Sequence, residues 1–246
     1  MALNESFDRI RRHLQQRYRD NLAGALVLGS SNTGHYAEGV SDINGMVFVT
    51  DGKDLDFDDE AQELMAGLQE VRFQTQYVNS LQGIQDYIRR RHSFATWVVI
   101  AGEEGSNTLH TTPEFERIRV DLRQNPLTDT EVRKHLEKKR RYELEGYFLK
   151  EGRPGQKYGD RPYRETQNLL FYVRRGLQIL NFFRTGELVF DFDRCLENSE
   201  LSAGEGAKAR ALYQAYADRR VLDGNETRDY YDFAERLTNK ILAGAA

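Results

Sequence analysis

Apolar residues follow two different rhythms along the 246-residue chain, and the rhythm changes near residue 125. Before it, short apolar runs alternate with amphipathic stretches, which is the pattern of strands and helices in turn. After it, apolar residues recur at intervals of three and four almost to the end, which is typical of helices. The sequence therefore predicts an α+β protein: a mixed sheet flanked by helices over residues 1–125, and a helical domain over residues 126–246.

The first half opens with an amphipathic helix, predicted by four apolar residues on one helix face: Phe7, Ile10, Leu14 and Tyr18. Strands are predicted at four apolar or alternating runs, 25–28, 45–49, 71–78 and 97–101, with Leu109-His110 as a short edge piece. Further helices are predicted over 58–67 and 81–91, and from Thr112, an N-cap that is followed by Pro113.

The second half predicts four helices, which pack most simply as an antiparallel bundle. The first begins at a capping box formed by Thr128 and Glu131 and runs to about Lys150. The other three are predicted over 163–184, 203–220 and 229–242. Gly186 is the predicted end of the second of these helices, and residues 190–193 are a predicted link.

A polar segment separates the first two predicted strands. Gly29, Ser30 and Ser31 follow the first strand, and such small residues let a backbone approach an anion and turn its amides towards it. Asp42 and Asn44 are two apart, so on an extended strand their side chains leave the same face. The side-chain oxygens of Asp42 and Asn44, beside a turn that can hold phosphate, could bind a divalent metal ion together with a nucleoside triphosphate.

This segment resembles the signature of the nucleotidyltransferase superfamily related to DNA polymerase beta. It is most similar to small bacterial enzymes that adenylylate aminoglycosides or lincosamides, and to the minimal nucleotidyltransferases. In that family a Gly-Ser turn holds the triphosphate, and an Asp-x-Asp or Asp-x-Glu pair binds magnesium. The resemblance implies Mg²⁺ at the residues that would also be catalytic, Asp42 and Asn44. It implies nucleotide binding at the turn and just before the second strand: Gly29, Ser30, Ser31 and Ser41.

The sequence departs from the family pattern at two acidic positions. Asn44 stands where the family has its second carboxylate. The third carboxylate, on a later strand, acts as a general base or completes the metal site. Its candidates in the strand 71–78 depend on which face of the strand points to the site, and none of them is acidic. One face carries Arg72, Gln74 and Gln76, and the other carries Phe73 and Thr75. An amide or a guanidinium cannot serve as the base, and Glu103 and Glu104 are the nearby acids that remain as substitutes.

Basic residues of the second half are candidate phosphate ligands. In the resembled aminoglycoside enzymes a helical domain follows the nucleotidyltransferase domain, and the acceptor sits in the cleft between them. The candidates to reach such a cleft and neutralise phosphate are one or two of these cations, best Lys139, Arg174 or Arg175. The alternative is surface charge whose apolar stems pack onto the helices.

Composition narrows the classes of function. The net charge of −4 gives no general reason to expect a nucleic-acid partner, and the single Cys195 excludes a disulfide framework. The first twelve residues do not resemble a signal peptide, and no apolar run approaches the roughly 20 residues that span a bilayer. We therefore expect a cytoplasmic protein without a membrane partner, and a homodimer is left open.

Two functions stay open at this point. An active nucleotidyltransferase would use Mg²⁺ to move a nucleoside monophosphate to a hydroxyl of an antibiotic-like small molecule or of a protein. Alternatively, the same fold binds the nucleoside triphosphate but is catalytically altered or inactive, a pseudoenzyme. The two missing acids favour the second function. A nucleic-acid-binding or protein-interaction module is a third alternative.

Overall fold

The computed structural model describes residues 3–31, 42–91, 94–102, 107–145 and 164–244. The chain divides into two compact units, Met1–Pro126 and Leu127–Ala246. A mixed sheet with flanking helices makes up the first unit, and helices make up the described part of the second. The predicted α+β fold with a helical C-terminal part is therefore confirmed.

The sheet of the first unit has four strands within the described residues, in the order β3-β2-β1-β4. The strands are β1 Leu22–Leu28, β2 Ile43–Val49, β3 Phe73–Ser80 and β4 Asn107–Thr111. Strand β1 pairs antiparallel with both β2 and β4, whereas β2 and β3 are parallel. Parallel neighbours need a crossover connection, and the helix Phe57–Gly67 lies in the segment that joins β2 to β3.

Helices cover both faces of this sheet. They are α1 Leu3–Tyr18, α2 Phe57–Gly67, α3 Leu81–Arg91, α4 Phe94–Ala101 and α5 Pro113–Gln124. On one face, the core combines apolar residues of the helices with alternate positions of the strands. The helix side contributes Ile10 and Leu14 of α1, Leu64 of α2 and Leu68 just after it, and the strands contribute Val27, Ile43, Val47 and Phe73. On the other face, Phe48 of β2 stacks on Phe115 of α5, with ring centroids 4.8 Å apart. The sheet is thus buried on both sides, and the predicted amphipathic helix α1 is confirmed.

One predicted strand of the first unit is wrong. Residues 97–101 lie in the buried helix α4, because a short apolar run looks the same in a buried strand and in a buried helix. Its C-terminal carbonyls are capped by side chains of α5. Arg119 donates to the carbonyls of Ile100 and Gly102 at 2.9 and 3.2 Å, and Arg123 donates to that of Ala101 at 3.1 Å. These hydrogen bonds allow the helix to end inside the protein.

The described helices of the second unit are α6 Asp129–Lys139, α7 Arg164–Thr185, α8 Phe192–Glu197, α9 Ala203–Ala217 and α10 Gly224–Leu242. The capping box of Thr128 and Glu131 is confirmed, and α6 continues as a π-helical turn, Arg140–Glu145. Gly186 follows α7 with a φ of +71°, as predicted. The predicted link near residue 190 contains α8 instead, which begins at the N-cap Asp191. Of the helices that the structure describes, none combines the length and apolar character needed to cross a membrane.

Gly45 of β2 provides a test of the packing between β2 and β3. A Cβ at this position would lie 2.3 Å from Cε2 of Phe73 and 3.3 Å from the carbonyl oxygen of Leu26. We predict that Gly45→Ala lowers the free energy of unfolding in urea by about 1–3 kcal/mol through overpacking. Gly206→Ala is the control, because open space surrounds Gly206 in α9 and alanine there should add about 0.5–1 kcal/mol. Equal effects of the two variants would contradict the prediction.

Candidate functional site

The Gly-Ser turn and the start of β2 lie side by side at one end of the sheet. Leu28, the last residue of β1, pairs with Asn44, so the 3₁₀ turn Gly29–Ser31 leaves the sheet where β2 enters it. A Cβ on Gly29 would lie 3.3 Å from Nδ2 of Asn44, which places this amide against the turn. Gly29 has a φ of +82°, a conformation that glycine adopts without strain. The turn therefore requires the glycine of the motif.

Serines of the motif differ in what the structure describes of them. The hydroxyl of Ser31 is buried and donates to the carbonyl oxygen of Leu28 at 3.1 Å, which helps to close the turn. Ser30 contributes its backbone to the same turn. Ser41 lies outside the described residues, so its predicted contact with nucleotide stays a prediction.

Asp42 contacts a cation that belongs to the protein itself. Nε and Nη2 of Arg72 both donate to Oδ1 of Asp42, at 3.0 and 2.9 Å. The parallel register explains this pair, because Ile43 stands beside Phe73 and the residues just before them are neighbours too. The side chain of Asp42 is 25% exposed and that of Arg72 is 41% exposed, so solvent reaches the pair.

The backbone at Arg72 fixes the position from which its side chain starts. Arg72 ends the 3₁₀ turn Gln69–Val71 with φ 53° and ψ 39°, a left-handed conformation that is uncommon outside glycine. Its amide donates to the carbonyl of Gln69 at 3.0 Å, and its carbonyl accepts from the amide of Ile43 at 3.1 Å. Arg72 is therefore tied both to the turn after α2 and to the start of β2.

Strand β3 brings an amide to the position expected for the third acid. Gln74 pairs with Asn44 in the parallel register, and paired residues of parallel strands point to the same face. Phe73 is 1% exposed and belongs to the core on the opposite face. Of the two phases that the sequence left open, the structure has the one with Arg72 and Gln74. Glu103 and Glu104 lie outside the described residues.

The donors at this end of the sheet do not fit a magnesium site. Mg²⁺ prefers an octahedron of hard oxygen ligands that includes carboxylates. Asp42 offers a carboxylate, which is bonded to Arg72, and Asn44 and Gln74 offer neutral amides. Across the described ranges, no group of three or more His, Cys, Asp or Glu residues comes together to hold a metal.

Asp42 and Arg72 open onto a cavity of about 380 Å³, a volume in the range of small-molecule sites, about 300–1,000 Å³. Its lining comes from the start of β2, from α2 with the turn after it, and from β3: Asp42, Met65, Gln69, Arg72, Phe73 and Gln74. The cavity combines a carboxylate, a guanidinium, two amides and an apolar floor. The two charges of its lining cancel, and the amides and the guanidinium supply hydrogen-bond donors.

The basic residues predicted as phosphate ligands have contacts inside the helical unit. Arg174 donates through Nη2 to the carbonyl of Phe190 at 2.8 Å, and its guanidinium carbon lies 4.4 Å from the centre of the phenyl ring of Phe190. Burial lowers the pKa of Arg174 below its usual value. Arg175 donates to Oε1 of Gln178 at 3.1 Å, and Lys139 is half-buried at the end of α6. A phosphate role for Lys139, Arg174 and Arg175 stays a prediction.

The pairing of Arg72 with Asp42 was not predicted from the sequence, although a signal for it existed. The strand, helix and strand at 45–49, 58–67 and 71–78 form a unit of the kind that makes parallel neighbours. Such neighbours start at the same end of the sheet, which brings Arg72 next to Asp42.

Two substitutions of Arg72 separate its ion pair from its backbone strain. Arg72→Gln removes the pair and keeps the strain, so we predict a loss of about 0.2–1 kcal/mol in the free energy of unfolding in urea. Arg72→Gly removes both and should be roughly 0.5–1 kcal/mol more stable than Arg72→Gln. Arg117→Gln, which breaks an exposed pair with Glu114, is the control and should change stability by less than about 0.5 kcal/mol. A glycine variant less stable than the glutamine variant would contradict the prediction.

Comparison with solved structures finds the same fold in spectinomycin adenyltransferase AAD(9) from Enterococcus faecialis, whose crystal structure contains ATP and spectinomycin. The two chains are 12% identical and align with a TM-score of 0.61, over 97% of this chain and 98% of that one. No protein-family model and no curated protein matches the sequence. At this identity the likeness establishes the fold alone. The chain therefore shares its fold with that adenyltransferase, which agrees with the fold expected from its Gly-Ser and Asp-x-Asn residues.

Proposed function

We propose that this protein binds a nucleoside triphosphate such as ATP at the Gly29–Ser31 turn, and that its nucleotidyl transfer is altered or lost. The observation that carries the proposal is the carboxylate of Asp42, which is bonded to Arg72 in a place where the family has a group of acids. The turn supports the binding half, because its glycine geometry suits backbone contact with phosphate. In this proposal the amides of Ser30 and Ser31 donate to phosphate oxygens, and Ser41 is a further nucleotide contact.

The missing acids weigh more against catalysis than the ion pair does. An exposed pair is worth about 0.2–1 kcal/mol, so displacing Arg72 would weaken metal binding at Asp42 by at most about fivefold. Two unit charges about 4 Å apart interact by roughly 1 kcal/mol in water and roughly 4 kcal/mol at an effective dielectric of 20, and a divalent ion doubles this. With neutral amides at Asn44 and Gln74, the attraction between a carboxylate and the metal ion is lost at two positions. Neither amide can act as the base that activates an acceptor hydroxyl.

The cations of the helical unit keep their proposed role as further phosphate ligands. Lys139, Arg174 and Arg175 are all half-buried; Arg175 donates to Oε1 of Gln178, and Arg174 donates to the carbonyl of Phe190. Recruiting Arg174 would break that hydrogen bond and its contact with the ring of Phe190. Among the three, Arg174 is therefore the hardest to recruit.

An active nucleotidyltransferase is the second candidate function. The likeness to a structure that contains ATP and spectinomycin extends over 97% of this chain, including its helical part. In this candidate, Asp42 and Asn44 would hold Mg²⁺, which would supply charge stabilisation for transfer of a nucleoside monophosphate. The acceptor would be a hydroxyl of a small, antibiotic-like molecule or of a protein.

Binding and transfer can be measured separately. We predict that calorimetry detects binding of a nonhydrolysable ATP analogue, and that mass spectrometry detects no nucleotidylated product across a panel of aminoglycosides, lincosamides and proteins with ATP and Mg²⁺. The reason is that, in the part of the chain that the structure describes, no group of three or more His, Cys, Asp or Glu residues comes together to hold a metal ion. Asn44→Asp is the variant expected to gain product.

The matched control for this experiment is Asp54→Ala, which removes an exposed carboxylate from the turn after β2. It should leave both binding and product formation unchanged. Transfer by the unmodified protein that disappears in Asp42→Ala and persists in Asp54→Ala would establish the active enzyme instead. Absence of any triphosphate binding would contradict both candidate functions.

A further inference from the structure

We infer that Arg72 takes the place of the metal ion, so that a guanidinium holds the triphosphate and Mg²⁺ is not needed for binding. This inference rests on the proposed function, because it concerns how the same nucleotide is held. Its starting point is the mismatch between the family's acids and the donors found here. Asp42 faces a cation of the chain, and Asn44 faces the amide of Gln74.

The position of Arg72 follows from the sheet. Parallel pairing of β2 and β3 sets Gln74 beside Asn44, and the residues just before the two strands, Asp42 and Arg72, are bonded to each other. This is the end of the sheet at which the Gly29–Ser31 turn leaves β1. The guanidinium is therefore held at the end of the sheet that carries Asp42 and Asn44.

The charges of the site agree with binding in the absence of metal. Three carboxylates carry three negative charges, and a phosphate can approach them only when metal ions are present. Here Asp42 carries one negative charge and Arg72 carries one positive charge, while Asn44 and Gln74 are neutral. Their sum is zero, so these four side chains do not repel a triphosphate even without a metal.

The chemistry of arginine suits this role. Its planar guanidinium has five N–H donors in a fixed fork that matches phosphate oxygens, and it stays charged at every physiological pH. The left-handed backbone of Arg72 and the hydrogen bond from the amide of Ile43 to its carbonyl fix the base of the side chain. The cavity that Arg72 lines also contains Gln69 and Gln74, whose amides can donate to phosphate or sugar oxygens.

Asp42 has a different role in this arrangement from the one it has in a metal site. It positions the guanidinium and competes with phosphate for the same donors. An exposed ion pair is weak, so a multiply charged phosphate can displace the carboxylate. Removing the charge of Asp42 should therefore strengthen triphosphate binding, whereas in a metal site the same change would weaken it.

The experiment is calorimetric titration of a nonhydrolysable ATP analogue into the full chain, once with EDTA and once with Mg²⁺. We expect the Kd of the unmodified protein to differ by less than about twofold between the two conditions, since no metal is involved. Arg72→Gln should weaken binding about tenfold or more, because a charge-assisted pair with phosphate is lost. The Kd of Arg72→Lys should lie between those of the unmodified protein and Arg72→Gln, because lysine keeps the positive charge but lacks the forked donors of the guanidinium.

Asp42→Asn is expected to increase the affinity for the triphosphate analogue, a change that a folding defect would not produce. It should tighten binding about two- to fivefold, which corresponds to the strength of the exposed pair that no longer competes. Arg117→Gln is the matched control, since it breaks an exposed arginine pair on α5, and it should bind like the unmodified protein. Thermal unfolding of each variant establishes that it is folded.

The outcomes separate this inference from the proposed function. Binding that requires Mg²⁺ and is weakened by Asp42→Asn would overturn the role of Arg72 and leave nucleotide binding in place. Binding that withstands EDTA but is unchanged in Arg72→Gln would also overturn it. Absence of binding in both conditions would remove the proposed function and, with it, the inference.

Discussion

Parallel pairing of β2 with β3 is the constraint on which the candidate site depends. This register places Arg72 beside Asp42 and Gln74 beside Asn44, and it buries Phe73 on the opposite face. A shift by one residue would turn every side chain of β3 to the other face. The register is held by packing, because Phe73 lies in the core and leaves no room for a Cβ at Gly45. The chemistry of the site is therefore fixed by the same contacts that build the core.

The site lies on a fold shared with the spectinomycin adenyltransferase, over 97% of this chain and with a TM-score of 0.61. The described side chains at the starts of β2 and β3 are an ion pair, Asp42 with Arg72, and two amides, Asn44 and Gln74. A site with this charge balance is suited to receive an anion and poorly suited to concentrate divalent cations.

Much of the fold follows from local sequence patterns, and the failures have physical causes. Capping signals at Thr112 and Thr128 mark helix starts correctly, because a hydroxyl at the N-cap bonds an otherwise unsatisfied amide. The apolar run at 97–101 is misread, since complete burial removes the periodicity that distinguishes a helix from a strand. The short helix Phe192–Glu197 is missed because its one and a half turns show too little pattern.

For the site, the sequence locates the turn and Asp42 but not the partner of Asp42. That partner depends on a strand register, which is a long-range property that no local motif contains. The most direct test of the role of Arg72 is a crystal structure with a nonhydrolysable ATP analogue and Mn²⁺, examined for anomalous scattering. We expect the guanidinium of Arg72 within hydrogen-bonding distance of a phosphate oxygen and no anomalous peak at Asp42. A Mn²⁺ ion bound to Asp42, with Arg72 turned away from the phosphates, would contradict it.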